Sequence, residues 1–122
     1  MRSPSLILFV ALYFLCLRLQ AQTPEIEKLV KTISETTGKE RMEACTDLSF
    51  RYYSIDPGKG VEYGQLALRL ADSLKLSGAK GKICNNLGAN YLAQSNHSAA
   101  RSSFRQALQY AREAGDSLEM AS

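Results

Sequence analysis

The sequence predicts an all-α chain of antiparallel helix pairs stacked on one another. Three observations carry that expectation. Two stretches of about 40 residues align with each other. Within each stretch apolar residues recur at helical spacing. Each is also split by a turn-forming run, DPGKG in the first and QSNHS in the second.

The first element stands outside the fold argument. Residues 1–21 have a basic start at Arg2, an apolar run of 12 residues from Leu6 to Leu17, and a small residue, Ala21, ahead of Gln22. This is the layout of a secretory signal peptide cleaved after Ala21 or Gln22. The apolar run falls short of the ~20 residues of a spanning helix, so export with cleavage is expected ahead of retention as an uncleaved anchor. A lipoprotein reading of Cys16 is disfavoured, because Leu15 stands where a small residue would be needed. Arg2 and Arg18 leave with the leader, so 13 of the 15 basic residues remain against 12 acidic ones. A surface that close to neutral offers no basic footprint for nucleic acid, and none is expected as a partner.

Residues 22–38 read as an N-terminal capping helix. Thr23 is placed to cap it, Pro24 suits the first helical position, and acids follow. Ile26, Leu29, Val30 and Ile33 share one face, and Gly38 stops the helix. The first repeat, 39–78, has Met42, Cys45, Leu48 and Tyr52 as one stripe, then Val61, Leu66, Leu68, Leu70 and Leu74 in the second helix. In the second repeat, 79–116, the stripes are Ile83, Cys84, Leu87 and Tyr91, then Phe104, Ala107, Leu108 and Ala111. Cys45, Leu48 and Tyr52 align with Cys84, Leu87 and Tyr91 at an offset of 39. Ala67, Leu68 and Ala71 align with Ala107, Leu108 and Ala111 at 40. The extra residue falls in the turn, where insertions are best tolerated. Residues 117–122 read as the opening of a third repeat, with Ala121 opposite Gly81. The chain is therefore expected to be incomplete at its C-terminus, a piece of a longer protein rather than a short complete one that docks on a partner.

Helices cross closely only where side chains are small. Gly88 and Ala100 are expected to face each other at such a crossing, with Leu87, Tyr91 and Phe104 filling the space around it. A Val or Leu at Gly88 should overpack it by about 1–3 kcal/mol.

The stretch NLGANYLAQSNHSAARSSFRQALQYA resembles a tetratricopeptide repeat, matching that family at Leu87, Gly88, Tyr91, Ala100, Phe104 and Ala107. Cys84 stands at the family's earlier aromatic position and Arg112 at its closing proline. The first copy departs further, with Ser49 for the glycine, Gly60 for the alanine, and Gln65 or Gly64 for the aromatic. The resemblance implies a right-handed α-solenoid. The leader, short helix and Asp-Pro-containing first repeat resemble the exported sensor half of bacterial membrane histidine kinases and related regulators. Any kinase or other output domain would lie beyond residue 122.

Enzyme chemistry fails on inventory. His97, the one histidine, reads as a half-buried packing residue in the turn. Spacing for a metal site is missing, and no cofactor is implied. Cys45 and Cys84 occupy equivalent places on stacked helices, whose axes pack ~8–10 Å apart, so they read as buried free thiols rather than a bridge. DPGKG and SGAKGK lack the context of a phosphate loop and read as turns.

What remains is a binding surface. In the family the inner face is lined by the first helix of each pair. Helical spacing assigns that side to Glu43, Thr46, Phe50 and Tyr53 in the first copy, and to Lys82, Asn85, Ala89 and Leu92 in the second. Phe50 and Tyr53 would stack on apolar groups, Asn85 would bond a peptide main chain, and Lys82 would meet a carboxylate. The expected function is non-enzymatic protein or peptide binding, as the extracytoplasmic input part of a bacterial signalling protein. It would sit in the periplasm or on the outer side of the inner membrane. A homodimer and a membrane tether through a downstream segment are the associations this reading leaves open. The rival reading is a structural scaffold subunit of an envelope or secretion assembly.

Overall fold

The computed structural model describes residues 4–121, without the side chains of 18–22 and 116–121. These residues form five α-helices and one short 3-10 turn, with no strand among them. Helix α1 spans Pro4–Glu35, α2 Gly38–Tyr52, α3 Pro57–Ser73, α4 Lys80–Ala93 and α5 His97–Ala121, and the 3-10 turn is Ser77–Ala79. Neighbouring helices pack in order, α1 on α2, α2 on α3, α3 on α4 and α4 on α5, while α2 also lies against α4.

Local chemistry sets the boundaries. Gly38 has φ +66°, a left-handed conformation that relieves the chain of a Cβ where α1 gives way to α2. Asp56 accepts from the Lys59 N–H at 3.3 Å, and Pro57 opens α3 with a ready-made φ. Helices α3 and α4 end alike. Lys75 (φ 55°) and Ser95 (φ 60°) turn left-handed, and the N–H of the next residue reaches back five positions, Leu76 to Ala71 and Asn96 to Tyr91.

The core is small-residue rich. Cys45, Leu48, Ala67, Ala71, Ile83 and Cys84 are fully buried, with Met42 and Leu87 close to it. Cys45 and Cys84 are free thiols. Burial pushes both thiols up from the usual 9.0, against a lowering by Arg41 at Cys45 and by Lys80 at Cys84. At the α3–α4 corner the Lys80 ammonium pairs with Asp72 and lies 5.5 Å from the centre of the Tyr110 ring. The hydrogen bond that Lys80 donates to the Asp72 carboxylate raises the Lys80 pKa despite some desolvation.

Four expectations are corrected. Pro24 does not begin a helix. It sits inside α1, which runs unbroken from the apolar leader into the segment carrying Ile26, Leu29 and Ile33. The strongly helix-forming residues on either side carry the helix past one missing N–H donor. Second, the stripe of α3 is not mainly its leucines. Gly60, Gly64, Ala67 and Ala71 are its buried residues, while Leu66, Leu68 and Leu70 are half-buried and Leu74 is exposed. The chain approaches its neighbours too closely there for larger side chains. Third, residues after Ala114 do not turn into a new repeat. Helix α5 continues through them to Ala121, since Gly115 alone costs only about 1 kcal/mol and no proline follows. Ser122 lies outside the described residues. Fourth, His97 is the exposed first residue of α5, not a half-buried filler. Among the described residues no helix is long and apolar enough to cross a membrane.

Candidate functional site

The site begins with what holds α2 and α4 side by side. Asn86 and Asn90, one turn apart on α4, are both buried. Asn86 Nδ2 donates to the Thr46 carbonyl at 3.1 Å. Asn90 Nδ2 donates to the Ser49 carbonyl at 2.9 Å and lies 3.3 Å from the Ser49 hydroxyl. The Ser49 hydroxyl in turn donates to the Gly60 carbonyl at 2.8 Å, reaching into α3. Each bond is made away from water, where an unmet partner would cost about 1–3 kcal/mol. Sliding α4 along α2 by one residue would break the bonds from Asn86 and Asn90 to Thr46 and Ser49, so the register is pinned.

That register sets the exposed side of the pair. Along α2 run Glu43, Thr46 and Phe50, with Tyr53 at its C-cap, and along α4 run Lys82, Asn85, Ala89 and Leu92, matched at the repeat offset. Phe50 is 58% exposed, Tyr53 45% and Leu92 51%, with Ala89 half-buried beside them. The Phe50 and Tyr53 rings stand 6.3 Å apart centre to centre. Three large apolar side chains therefore share one end of the α2–α4 surface. At the other end a cavity of about 470 Å³ is lined by Lys39, Met42, Glu43, Thr46, Leu76 and Lys82. Thr46 is nearly closed off, because its hydroxyl donates back to the Met42 carbonyl at 2.8 Å, and it forms part of the cavity wall rather than a free contact. Glu43 and Lys39 pair at 3.9 Å with both side chains exposed, a contact worth little to stability. Asn85 is exposed with its amide free among the described residues.

The residues at the α4–α5 crossing are placed as follows. Leu87, Gly88, Ala100 and Ala107 are buried, and Tyr91 is half-buried with its hydroxyl accepting from Gln65 at 3.1 Å. What lies over Gly88 is the Phe104 ring rather than Ala100. A Cβ at Gly88 would come within 2.6 Å of the ring edge. Phe104 is itself 39% exposed, so it covers the crossing from outside.

Sequence reasoning passed over Asn86, Asn90 and Ser49, which do the positioning. The signal was present as two asparagines at i and i+4 within the stripe of Leu87 and Gly88. A polar pair on a buried face implies a polar partner. No known protein family matches the chain, and no curated protein or solved structure resembles it closely enough to carry an inference. Among the described residues no three His, Cys, Asp or Glu side chains stand together in a way that would hold a metal ion. The surface can stack apolar groups, offer an amide to a main chain and present charges of both signs.

Proposed function

We propose that this chain is a tetratricopeptide-like helical-repeat module, a right-handed α-solenoid, that binds protein or peptide without catalysing a reaction. The observation that carries the reading is the α2–α4 surface. Phe50, Tyr53 and Leu92 are large, apolar and exposed together on a rigid pair of helices, whose register is locked by Asn86 and Asn90. Aromatic side chains so placed contribute contact area with little entropy to lose. The flanking Asn85, Lys82 and Glu43 supply the few polar groups that orient a chain segment. On this reading residues 1–21 direct export, and the module acts in the periplasm or on the outer side of the inner membrane. There it serves as the input part of a bacterial signalling protein.

The test is selection of displayed random peptides on the immobilised full chain, followed by binding of the enriched peptides to variants. Phe50→Ala and Tyr53→Ala should each weaken binding about 30-fold, as loss of an aromatic anchor does. Helix content should stay unchanged, since both side chains are exposed. Enriched peptides that bind both variants as tightly as the parent would remove the groove from the function. Export is checked separately with a reporter fused after Ser122, and activity confined to the cytoplasm would end that part of the reading.

A further inference from the structure

At the foot of the α2–α4 surface, away from its aromatic end, lies the cavity of about 470 Å³. Its walls are α2, α4 and the 76–79 segment that joins α3 to α4, so every wall has chain on both sides. The bonds from Asn86 and Asn90 to α2 hold the two long walls at a fixed spacing. The volume is that of a small-molecule pocket, which runs from about 300 to 1,000 Å³.

The floor is apolar and the mouth is charged. Met42 is buried at the base, with Leu76 and Ala79 half-buried beside it. The Thr46 hydroxyl is taken up by the Met42 carbonyl and is not available to a ligand. Four charged side chains stand around the mouth, and they are not equivalent. Lys39 and Glu43 pair with each other at 3.9 Å. Asp47 on α2 and Lys82 on α4 line the same cavity, yet neither has a partner among the described residues. One unpaired carboxylate and one unpaired ammonium therefore border the cavity from opposite helices.

We propose that this cavity binds a free α-amino acid with an aliphatic side chain. The ligand's ammonium meets Asp47, its carboxylate meets Lys82, and its side chain rests on Met42, Leu76 and Ala79. Charge complementarity sets the class. A fatty acid leaves Asp47 unpaired and a simple amine leaves Lys82 unpaired, whereas a zwitterion meets both. A segment of protein, from a partner or from a second copy, carries neither terminal charge in mid-chain. It would also run along the groove, while these two charges lie across it. The site shares Lys82 with the peptide-binding surface but does not rest on that reading, since it uses neither Phe50 nor Tyr53.

The probe is L-leucine, titrated into the isotope-labelled full chain and followed by amide chemical shifts, with glycine, N-acetyl-L-leucine and L-leucinamide as comparisons. Leucine should saturate, with its largest shifts at Gly78 and Ala79, which line the cavity. Glycine should bind about tenfold more weakly, because it has no side chain to lay on the floor. N-acetyl-leucine lacks the ammonium and leucinamide the carboxylate. Each should lose about fivefold, the effect of one charge-assisted contact at an exposed rim. Asp47→Asn should bring leucine down to the level of N-acetyl-leucine without weakening N-acetyl-leucine itself, and Lys82→Gln should do the same with leucinamide. Both side chains are exposed, so circular dichroism should show the fold intact. No saturable shift with leucine, analogues that bind as well as leucine, or a preference that neither substitution moves would overturn the proposal. So would tighter binding of an N-acetylated, amidated tripeptide centred on leucine, since the occupant would then be a chain segment. None of these results bears on peptide capture by Phe50 and Tyr53, so the two readings fail separately.

Discussion

A Cβ added at Gly60 would sit 1.9 Å from Asn90 Oδ1 and within 2.7 Å of the whole amide. Asn90 is fully buried and donates to the Ser49 carbonyl and, at 2.8 Å, to the Asn86 carbonyl, so it has nowhere to swing. Gly60→Ala should therefore be destabilising, although alanine is the better helix former. Overpacking costs about 1–3 kcal/mol. Displacing the amide from its acceptors adds about 1–3 kcal/mol. The helical preference returns only about 0.5–1 kcal/mol. The net expectation is a loss of about 2–4 kcal/mol. The chain has no tryptophan, so urea unfolding is best followed by far-ultraviolet circular dichroism. The decisive measurement is the cycle with Asn90→Ala. Removing the amide clears the space that the new methyl needs, so the double variant should be more stable than the sum of the singles by about 1–2 kcal/mol. Gly88→Ala is the internal contrast. There the obstructing Phe104 ring is partly exposed and free to move outward, so the change should stay within about 1 kcal/mol of zero. A neutral Gly60→Ala, or strictly additive singles, would refute the claim that the Asn90 amide closes the space over Gly60.

Lys75 and Ser95 hold positive φ without being glycine, so Lys75→Gly and Ser95→Gly should each raise the urea midpoint, by about 0.5–1 kcal/mol of stability. The buried thiols make stability depend on pH at the alkaline end. Their folded pKa values lie above the ordinary 9.0, so their contribution is complete below pH 9 and declines as pH rises through the folded values. Each thiol adds a slope of up to about 1.4 kcal/mol per pH unit. Cys45→Ala/Cys84→Ala should flatten that decline, and in the parent at pH 8 iodoacetamide should label Cys45 and Cys84 only as fast as the fold opens.

How far the sequence could be read depends on which physical effect ruled at each site. Apolar spacing located α2 to α5, because burial of one face is what a helix pair requires, and Cys45, Leu48, Cys84 and Leu87 are buried at the equivalent places that the alignment gave them. It did not reveal which partner each small residue meets. Gly88 was matched with Ala100 because both are small, yet the space over a glycine is taken by something large, here Phe104. The leucines of α3 were ranked above Gly60 and Gly64 because hydrophobicity scales reward size, whereas close approach rewards its absence. The end of α5 was misread for another reason. Similarity to the earlier linker was weighed above the local rule that a helix without proline and with a single glycine continues. At the candidate site, spacing alone placed Phe50, Tyr53, Asn85 and Leu92 on the exposed side. Thr46 was placed there too, because periodicity cannot show that a hydroxyl will turn back to its own helix.

The two repeats also divide bulk differently, and that difference ties the core to the surface. In the second pair the space at the crossing is filled from within, by Phe104 of α5 over Gly88 of α4. In the first pair both sides are small: a Cβ on Gly64 would lie 2.8 Å from the Ser49 hydroxyl. The bulk there comes from α4, whose Leu87 and Asn90 press on Gly64 and Gly60. Helices α2 and α3 thus have no complete core until α4 is in place, so the two pairs should fold as one unit, as coupled repeats do. The same insertion fixes where α4 lies along α2. Leu87 and Asn90 point into the first pair, which leaves Ala89 and Leu92 on the side of Phe50 and Tyr53. The spacing of the exposed aromatic and aliphatic groups is therefore a consequence of the small residues beneath them. A variant that enlarges Gly60 or Gly64 acts on the groove as well as on stability, although neither residue belongs to the groove.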